Sequence, residues 1–446
     1  IARLLGPETM GFFGLMLSIS AVIDMLGAVS PGLAVVQARR ETTQLYDTAL
    51  AIAAALAFGG LVITVLLVPF VVAQKSNMAG WFLFGFAIAR FLSFMSLIPI
   101  ARLERAFRYR AVATINLVGS NVPSILALAL AWLGAGAWSL LVREVLQAGL
   151  ILGLGVLASG YRFRGDVERK TAGEIMSFGR PMFLSRSLEI VLDRADRLVI
   201  GGFFGDRSLG LYNQARVLSE TGIIATRPLG RLSFNLYSRL REEPDRLRRS
   251  YGIVNFFLVR LVFAGAITLL VFPVETIEIL LGAEWVPAAP LLRWLSVYGA
   301  LLPVFGNMKQ LLYGRGKIRL AVALRLLQLV FLAAGLLVAI RSGDVIVAAA
   351  TLLLVTVVGV LLAMWWNRDV IAGEWLETFA APIACGILVA VALLWGPLPA
   401  WLRLLPWWAL PGVPPFAFVL VLAAVERGKL VGHFQYLRKL ARASDE

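Results

Sequence analysis

Long apolar stretches separated by short polar segments make up most of this sequence. Each stretch is long enough to cross about 30 Å of hydrocarbon as an α-helix, which rises about 1.5 Å per residue. The thirteen stretches lie at 10–36, 48–73, 81–101, 111–133, 138–159, 176–204, 209–238, 251–281, 290–314, 318–340, 345–366, 376–395 and 406–425. The pattern therefore predicts an all-α, polytopic membrane protein.

Composition supports this prediction. Of the 446 residues, 59% are hydrophobic and 15% are charged, whereas a soluble domain has roughly 45–50% apolar and about 25% charged residues. Uninterrupted apolar runs of this length cannot be buried inside a water-soluble core. The class of soluble globular proteins is excluded.

The basic residues of the connecting segments predict the orientation in the membrane. Alternate connections carry 24 Lys and Arg residues, and the intervening connections carry four. The basic set comprises 37–47, 102–110, 160–175, 239–250, 315–319, 367–375 and 426–446. Because cytoplasmic loops are enriched in Lys and Arg, these connections and the C-terminus are expected in the cytoplasm.

Fourteen further basic residues lie within the spans or at their margins. An Arg at the centre of a membrane helix costs about 2.5–3.5 kcal/mol, so it normally faces a partner or a wet cavity. In 176–204 five charged residues fall on an arc of about 100°, namely Arg186, Glu189, Asp193, Asp196 and Arg197. In 209–238 five polar residues fall within about 60°, namely Asn213, Arg216, Glu220, Arg227 and Arg231, with Pro228 expected to bend that helix. One polar face on each helix is expected to point inward.

These residues are the candidates for a binding site. The candidate substrate-binding cations of the cavity are Arg90, Arg143, Arg180, Arg186, Arg197, Arg216 and Arg227. The candidate ion-coupling acids are Asp24, Glu189, Asp193 and Glu220. Two alternatives stay open, because the charges could satisfy each other in a purely structural network and Asp24 could simply pair with an arginine.

Repeated segments indicate an internal duplication. Gly6 and Gly11 are spaced like Gly205 and Gly210, 199 residues later, and Pro31 and Pro228 are 197 residues apart. The prediction is two parallel six-helix lobes followed by two helices, with a first helix missing before Ile1. The predicted domains are an N-terminal lobe at 1–160, a C-terminal lobe at 161–370, a helix pair at 371–425 and a basic cytoplasmic tail at 426–446.

Several kinds of chemistry have no residues to support them. One cysteine, Cys385, and one histidine, His433, supply neither an internal disulfide nor a His-based metal site. No phosphate-binding G-x-x-x-x-G-K-[ST] motif occurs. We therefore expect no metal, no cofactor and no ATP-driven pumping by this chain on its own. The basic excess belongs first to the cytoplasmic loops, so no nucleic-acid partner is expected. The chain is also expected not to be an enzyme, because its outward connections are short.

Five segments resemble a known family. They are ARLLGPETMG (2–11), ERAFRYR (104–110), SFGRP (177–181), GDRSLGLY (205–212) and LLGAEWVPAAP (280–290). Together they resemble the polysaccharide-transport branch, which contains the Wzx-like flippases of O-antigen and exopolysaccharide synthesis, of the multidrug/oligosaccharidyl-lipid/polysaccharide exporter superfamily. The resemblance covers nearly the whole chain.

The resemblance implies a flippase in the bacterial cytoplasmic (inner) membrane. Such a protein moves a polyprenyl-diphosphate-linked oligosaccharide between leaflets by alternating access of two lobes around a cationic cavity. The implied partners are the lipid-linked glycan, membrane lipids, and polysaccharide polymerase or export machinery. The arginine-rich faces agree with this function, because guanidinium groups bind phosphate oxygens bidentately.

Two other functions remain as alternatives. A cation-coupled multidrug exporter of the same fold would favour an acidic cavity, whereas the spans here are rich in arginine. A membrane polysaccharide polymerase or ligase is expected to carry a large outward loop, and the longest predicted outward connection has about ten residues. Both therefore rank below the flippase.

Overall fold

A computed structural model describes residues 1–38, 40–371, 379–395 and 406–426. Helices form nearly all of this described part, and it contains no β-strand. Ten helical segments in it are long and apolar enough to cross a membrane. The prediction of an all-α, multi-pass membrane protein is thus confirmed.

The chain divides into two compact units, residues 1–210 and 211–446. The helices of the first unit are α1 (Ala2–Gly27), α2 (Pro31–Gln37), α3 (Thr43–Gln74), α4 (Asn77–Arg105), α5 (Tyr109–Trp132), α6 (Trp138–Ser159), α7 (Arg169–Phe203) and the start of α8 (Gly205–Ser219). The second unit contains the end of α8, then α9 (Thr221–Arg239), α10 (Pro244–Val271), α11 (Pro273–Leu280), α12 (Ala289–Gly314), α13 (Ile318–Ser342), α14 (Val345–Trp366), α15 (Arg368–Ile371), α16 (Ala381–Trp395) and the span Ala409–Glu426.

Three of the thirteen predicted spans do not appear among these ten segments. The stretches 176–204 and 209–238 are helical, as α7 and as α8 with α9, but their charged residues lower the hydropathy. In the stretch 376–395, the apolar helix of the described part covers only Ala381–Leu393. Residues 427–446 of the predicted basic tail lie outside the described residues.

The boundary between the two units, after residue 210, is defined by contacts between residues. The predicted boundary between the lobes, after residue 160, is based on the repeated segments of the sequence. The two differ because α7 packs against α1, α2 and α3 and so belongs to the first unit. The division into lobes stays a prediction.

In the first unit, α4 packs against α1, α2, α3 and α6. Small residues allow the close approach, as in the cluster formed by Ile23, Ala57, Ala87 and Phe94. In the second unit, α12 occupies the corresponding central place and packs against α9, α10 and α14.

The first predicted span is broken where its proline stands. Helix α1 ends at Gly27, and α2 begins at Pro31. Between them, Ser30 has φ 55° and ψ 52°, in the left-handed region that non-glycine residues seldom adopt. The interruption leaves backbone groups without helical partners at membrane depth, a feature tolerated where the chain lines a cavity.

The break in the stretch 209–238 lies earlier than Pro228, the residue expected to bend it. The backbone leaves one helix at Ser219 and enters the next at Thr221. Glu220 stands between them, and its carboxylate accepts a hydrogen bond from Arg216 Nε at 2.7 Å. The polar face predicted for one bent helix is therefore divided between two.

Two glycines let α1 and the start of α8 cross in backbone contact. A Cβ on Gly11 would lie 1.6 Å from the carbonyl oxygen of Asp206, and one on Gly210 would lie 1.8 Å from that of Pro7. Neither position accepts a side chain, because the opposing atoms are backbone. Asp206 is further held by Lys75, whose Nζ lies 2.9 Å from Oδ1.

This crossing generates a stability prediction. Gly11→Ala forces α1 away from α8 and is expected to cost at least about 3 kcal/mol of stability, above the usual penalty for overpacking. The measurement is the thermal midpoint of detergent-solubilised protein, read by size-exclusion chromatography. Gly153→Ala on α6 is the control, because a Cβ there meets no atom within 4 Å. Equal midpoints for the two variants would contradict the steric account.

Candidate functional site

A polar cavity of about 520 Å³ opens within the first unit. It is lined by the end of α1, by the break before α2, and by the inner faces of α4 and α7. Four ionisable side chains face it, namely Asp24, Arg90, Arg186 and Glu189. We call it the charged cavity.

The first ion pair of the charged cavity joins α1 to α4. Arg90 Nε lies 3.1 Å from Asp24 Oδ1, without the alignment of a hydrogen bond. Both side chains are only partly exposed. The pair explains how two charged residues lie in otherwise apolar helices, because each compensates the charge of the other.

The second ion pair lies along α7. Arg186 Nη1 is 3.2 Å from Glu189 Oε2, at i,i+3 spacing. The arginine side chain is 65% exposed, so it can turn toward a ligand at little cost. The hydroxyls of Ser30 and Ser93 also line the charged cavity, and each donates to a backbone carbonyl of its own segment.

More charged groups lie beside the charged cavity. On α7, Asp193 pairs with Arg194 at 3.5 Å and with Arg197 at 3.7 Å. On α6, Arg143 Nη2 donates to Glu144 at 2.6 Å. The Nε atoms of Arg90, Arg143 and Arg197 are buried and donate no hydrogen bond within the described part of the chain. Buried donors without acceptors normally cost free energy, so these three arginines are held at a cost to stability.

The structure brings some predicted site residues together and separates others. Asp24, Arg90, Arg186 and Glu189 line one cavity. Arg143, Arg197 and Asp193 stand outside its lining. Arg180 is exposed and lies about 180° around α7 from Glu189, so it does not face the charged cavity.

The remaining candidates belong to the second unit. Arg216 is buried, and its partner Glu220 also accepts a hydrogen bond from Tyr298 Oη at 3.2 Å. This arrangement satisfies the carboxylate from two helices. The side chain of Arg227 lies outside the described residues.

Among the described residues, two arginines and two carboxylates line the charged cavity, and their formal charges balance. The arginine count in the sequence did not show which acids lie beside the arginines. No group of three or more potential metal ligands occurs among the described residues.

Sequence reasoning missed Ser30 and Ser93. A serine carries no membrane penalty large enough to single it out, so Ser93 left no signal. For Ser30 the signal was present, because the following Pro31 predicts the break that aims this residue at the charged cavity.

Residues 1–290 match the model of a family described as "Polysaccharide biosynthesis protein". The chain belongs to this family. Curated relatives include the teichuronic acid biosynthesis protein TuaB of Bacillus subtilis (strain 168), 24% identical over 43% of this chain and 40% of that protein. Another is the succinoglycan biosynthesis transport protein ExoT of Rhizobium meliloti (strain 1021), 24% identical over 71% of this chain and 65% of that protein. The chain thus spans less than two thirds of either relative.

Solved structures show the same fold. The lipid II flippase MurJ in an inward closed conformation has a TM-score of 0.71, covering 96% of this chain and 94% of MurJ at 9% identity. An inward-facing MATE multidrug resistance transporter of the MOP superfamily has a TM-score of 0.63, covering 83% of this chain and 93% of the transporter at 15% identity. The resemblance drawn from the five sequence segments is confirmed.

A double-mutant cycle tests whether Asp24 and Arg90 stabilise each other in this member of the polysaccharide biosynthesis family. Each single variant, Asp24→Asn or Arg90→Gln, leaves a charge without its partner and is expected to lower the thermal midpoint. The double variant should recover part of the loss, with a coupling of about 1–2 kcal/mol.

The matched control combines Asp24→Asn with Arg216→Gln, whose arginine pairs with Glu220 instead. These two losses should add. Additive losses in the Asp24–Arg90 cycle would show that the two side chains do not compensate each other.

Proposed function

We propose that this protein is a flippase that moves a polyprenyl-diphosphate-linked oligosaccharide across the cytoplasmic membrane. The observation that carries the proposal is the charged cavity, which presents Arg90 and Arg186 from two helices inside a largely apolar helical unit. Membership of the polysaccharide biosynthesis family supports it, as does a relative named as a succinoglycan transport protein. The shared fold with a lipid II flippase points in the same direction.

The diphosphate is the part of the substrate that these residues suit. A guanidinium group stays charged when buried and presents two parallel N–H donors to phosphate oxygens. Arg90 and Arg186 come from α4 and α7, so they can approach one diphosphate from two helices. The polyprenyl tail remains in the bilayer, which requires no polar site.

The balanced charge of the cavity suggests how binding is linked to an ion. A diphosphate entering the charged cavity competes with Asp24 and Glu189 for the two arginines. A carboxylate displaced from its arginine becomes costly at membrane depth until a proton or a metal cation neutralises it. Binding of the anion and of a cation are therefore linked, and each cation that moves outward with the substrate reduces the net charge on which the membrane potential acts.

Energy for transport can come from the membrane potential. A potential that is negative inside favours outward movement of an anion by about 2.3 kcal/mol per charge per 100 mV. The orientation proposed from the basic loops places the C-terminus in the cytoplasm and the chain in the inner membrane. Alternating access of the two lobes would expose the cavity to each side in turn, and polymerase or export machinery would take the product.

A cation-coupled multidrug exporter is the second candidate. The presence of Asp24 and Glu189 on the cavity wall favours it, because carboxylates attract organic cations. The paired arginines oppose it, because they remain charged and repel such a substrate.

A reconstituted system separates the two candidates. Liposomes containing the protein receive a fluorescent polyprenyl-diphosphate oligosaccharide, and a membrane-impermeant quencher reports its leaflet distribution under an imposed potential. The expected result is protein-dependent movement that Arg90→Gln and Arg186→Gln each slow by about tenfold or more, the value of a lost charge-assisted hydrogen bond.

Arg341→Gln, at the exposed end of α13, is the matched control and should move the lipid at the normal rate. Unchanged leaflet distribution with intact protein would overturn the flippase proposal. Efflux of ethidium from the same liposomes, driven by a proton or sodium gradient, would favour the exporter instead.

A further inference from the structure

A second cavity, of about 570 Å³, lies at the end of the first unit where the basic loops are predicted to face the cytoplasm. It is enclosed by the end of α2, the start of α3 and the first turns of α7. We call it the polar cleft and define it by Gln37, Thr42, Gln44, Thr171, Glu174 and Phe178.

The side chains of the polar cleft suit a carbohydrate. Sugars present hydroxyl groups around their edges and apolar C–H groups on their faces. Amides and hydroxyls can both donate to and accept from hydroxyl groups, and a carboxylate accepts from them. Phe178 supplies an aromatic surface among them. Gln37, Gln44 and Glu174 make no side-chain hydrogen bond within the described part of the chain, so their polar groups are available to a ligand.

The polar cleft and the charged cavity are lined by the same face of α7. Thr171, Phe178 and Glu189 lie within about 20° of each other around the helix axis. From Phe178 to Glu189 the helix rises about 16 Å, a distance that a short oligosaccharide spans. Helix α2 also lines both spaces, because Gly32 borders the charged cavity and Gln37 borders the polar cleft.

Between the two spaces, α7 approaches the helix break very closely. A Cβ on Gly179 would lie 2.5 Å from the carbonyl oxygen of Val29. This contact fixes the distance of α7 from the α1–α2 break. The spacing between the polar cleft and the charged cavity is thus set by backbone contact rather than by flexible side chains.

The wall of the polar cleft is also held in place by a buried carboxylate. Asp47, at the start of α3, accepts hydrogen bonds from Tyr161 Oη at 2.7 Å and from the backbone N–H groups of Arg164 and Asp166 at 3.0 Å each. Burial, together with the hydrogen bond to Asp47, raises the pKa of the Tyr161 hydroxyl, which therefore remains a neutral donor. The loop that leads into α7 is ordered before any ligand arrives.

We infer that the polar cleft binds the sugars of the lipid-linked oligosaccharide while its diphosphate occupies the charged cavity. The inference rests on the proposed function and adds to it a separate glycan subsite. In this arrangement the charged cavity recognises the part common to all such lipids, and the polar cleft distinguishes one glycan from another.

The test uses the lipid-linked oligosaccharide that accumulates in cells lacking this protein. One portion is kept whole, and another is trimmed by exoglycosidases to a single sugar. Both are assayed for transfer in the same liposomes with the wild-type protein, with the cleft variant Gln44→Ala/Glu174→Ala, and with Ser177→Ala. Ser177 lies on the same turn of α7 but outside the polar cleft, so its variant serves as the control.

The cleft variant is expected to slow transfer of the lipid with the complete oligosaccharide by about tenfold, because it loses two hydrogen bonds to the sugars. Transfer of the trimmed lipid should be unaffected. The ratio of the two rates is the decisive readout, because damage to folding would slow both substrates. With wild-type transfer intact, the glycan subsite would be overturned if the cleft variant slowed neither substrate. It would also be overturned if a cleft variant that elutes like the wild type in size-exclusion chromatography slowed both substrates equally. If the wild type transfers neither lipid, the proposed function itself fails.

Discussion

The cost of an unpaired charge in hydrocarbon constrains both units of this protein. Each arginine at membrane depth whose contacts are described has a carboxylate close by, as Arg90 has Asp24 and Arg216 has Glu220. Arg260 follows the same rule, since its Nε lies 2.7 Å from Glu426 Oε2 and joins α10 to the span Ala409–Glu426. Substituting one residue of such a pair leaves the other as a buried, uncompensated charge, so neither residue can be replaced alone without loss of stability.

A second constraint comes from backbone contact between the two segments that are predicted to be duplicated. Gly11 and Pro7 stand 199 residues before Gly210 and Asp206, and the contacts are reciprocal, because a Cβ on each glycine would meet a backbone carbonyl of the other segment. The repeated glycines therefore have a physical reason beyond turn formation, since both positions must be free of a side chain for the crossing to form.

Hydropathy and charge were enough to predict the helices, the membrane and the polar face of α7, because these depend on residues close together in the sequence. Partners across helices could not be predicted in this way. The projection of α7 placed Glu189 on the inward face, but nothing in the chain order indicated that Asp24 lies beside Arg90, 66 residues away. The case of Arg180 shows the same limit, because it is an arginine within the same span that faces away from the charged cavity.

Under the proposed function, the balanced charge of the cavity bears on how the flippase avoids transporting the wrong anion. A permanently cationic cavity at membrane depth would hold phosphate or any acidic lipid tightly, and tight binding in one state slows release in the other. Carboxylates already paired with the arginines weaken the binding of every anion, because each anion must first displace a carboxylate from its arginine. A diphosphate can offset the cost of this displacement, because several of its oxygens accept hydrogen bonds from the arginines at once. A singly charged group has fewer oxygens to accept them. Under the proposed function, selectivity for a diphosphate then follows from competition inside the cavity, because Asp24 and Glu189 compete with the substrate for the two arginines.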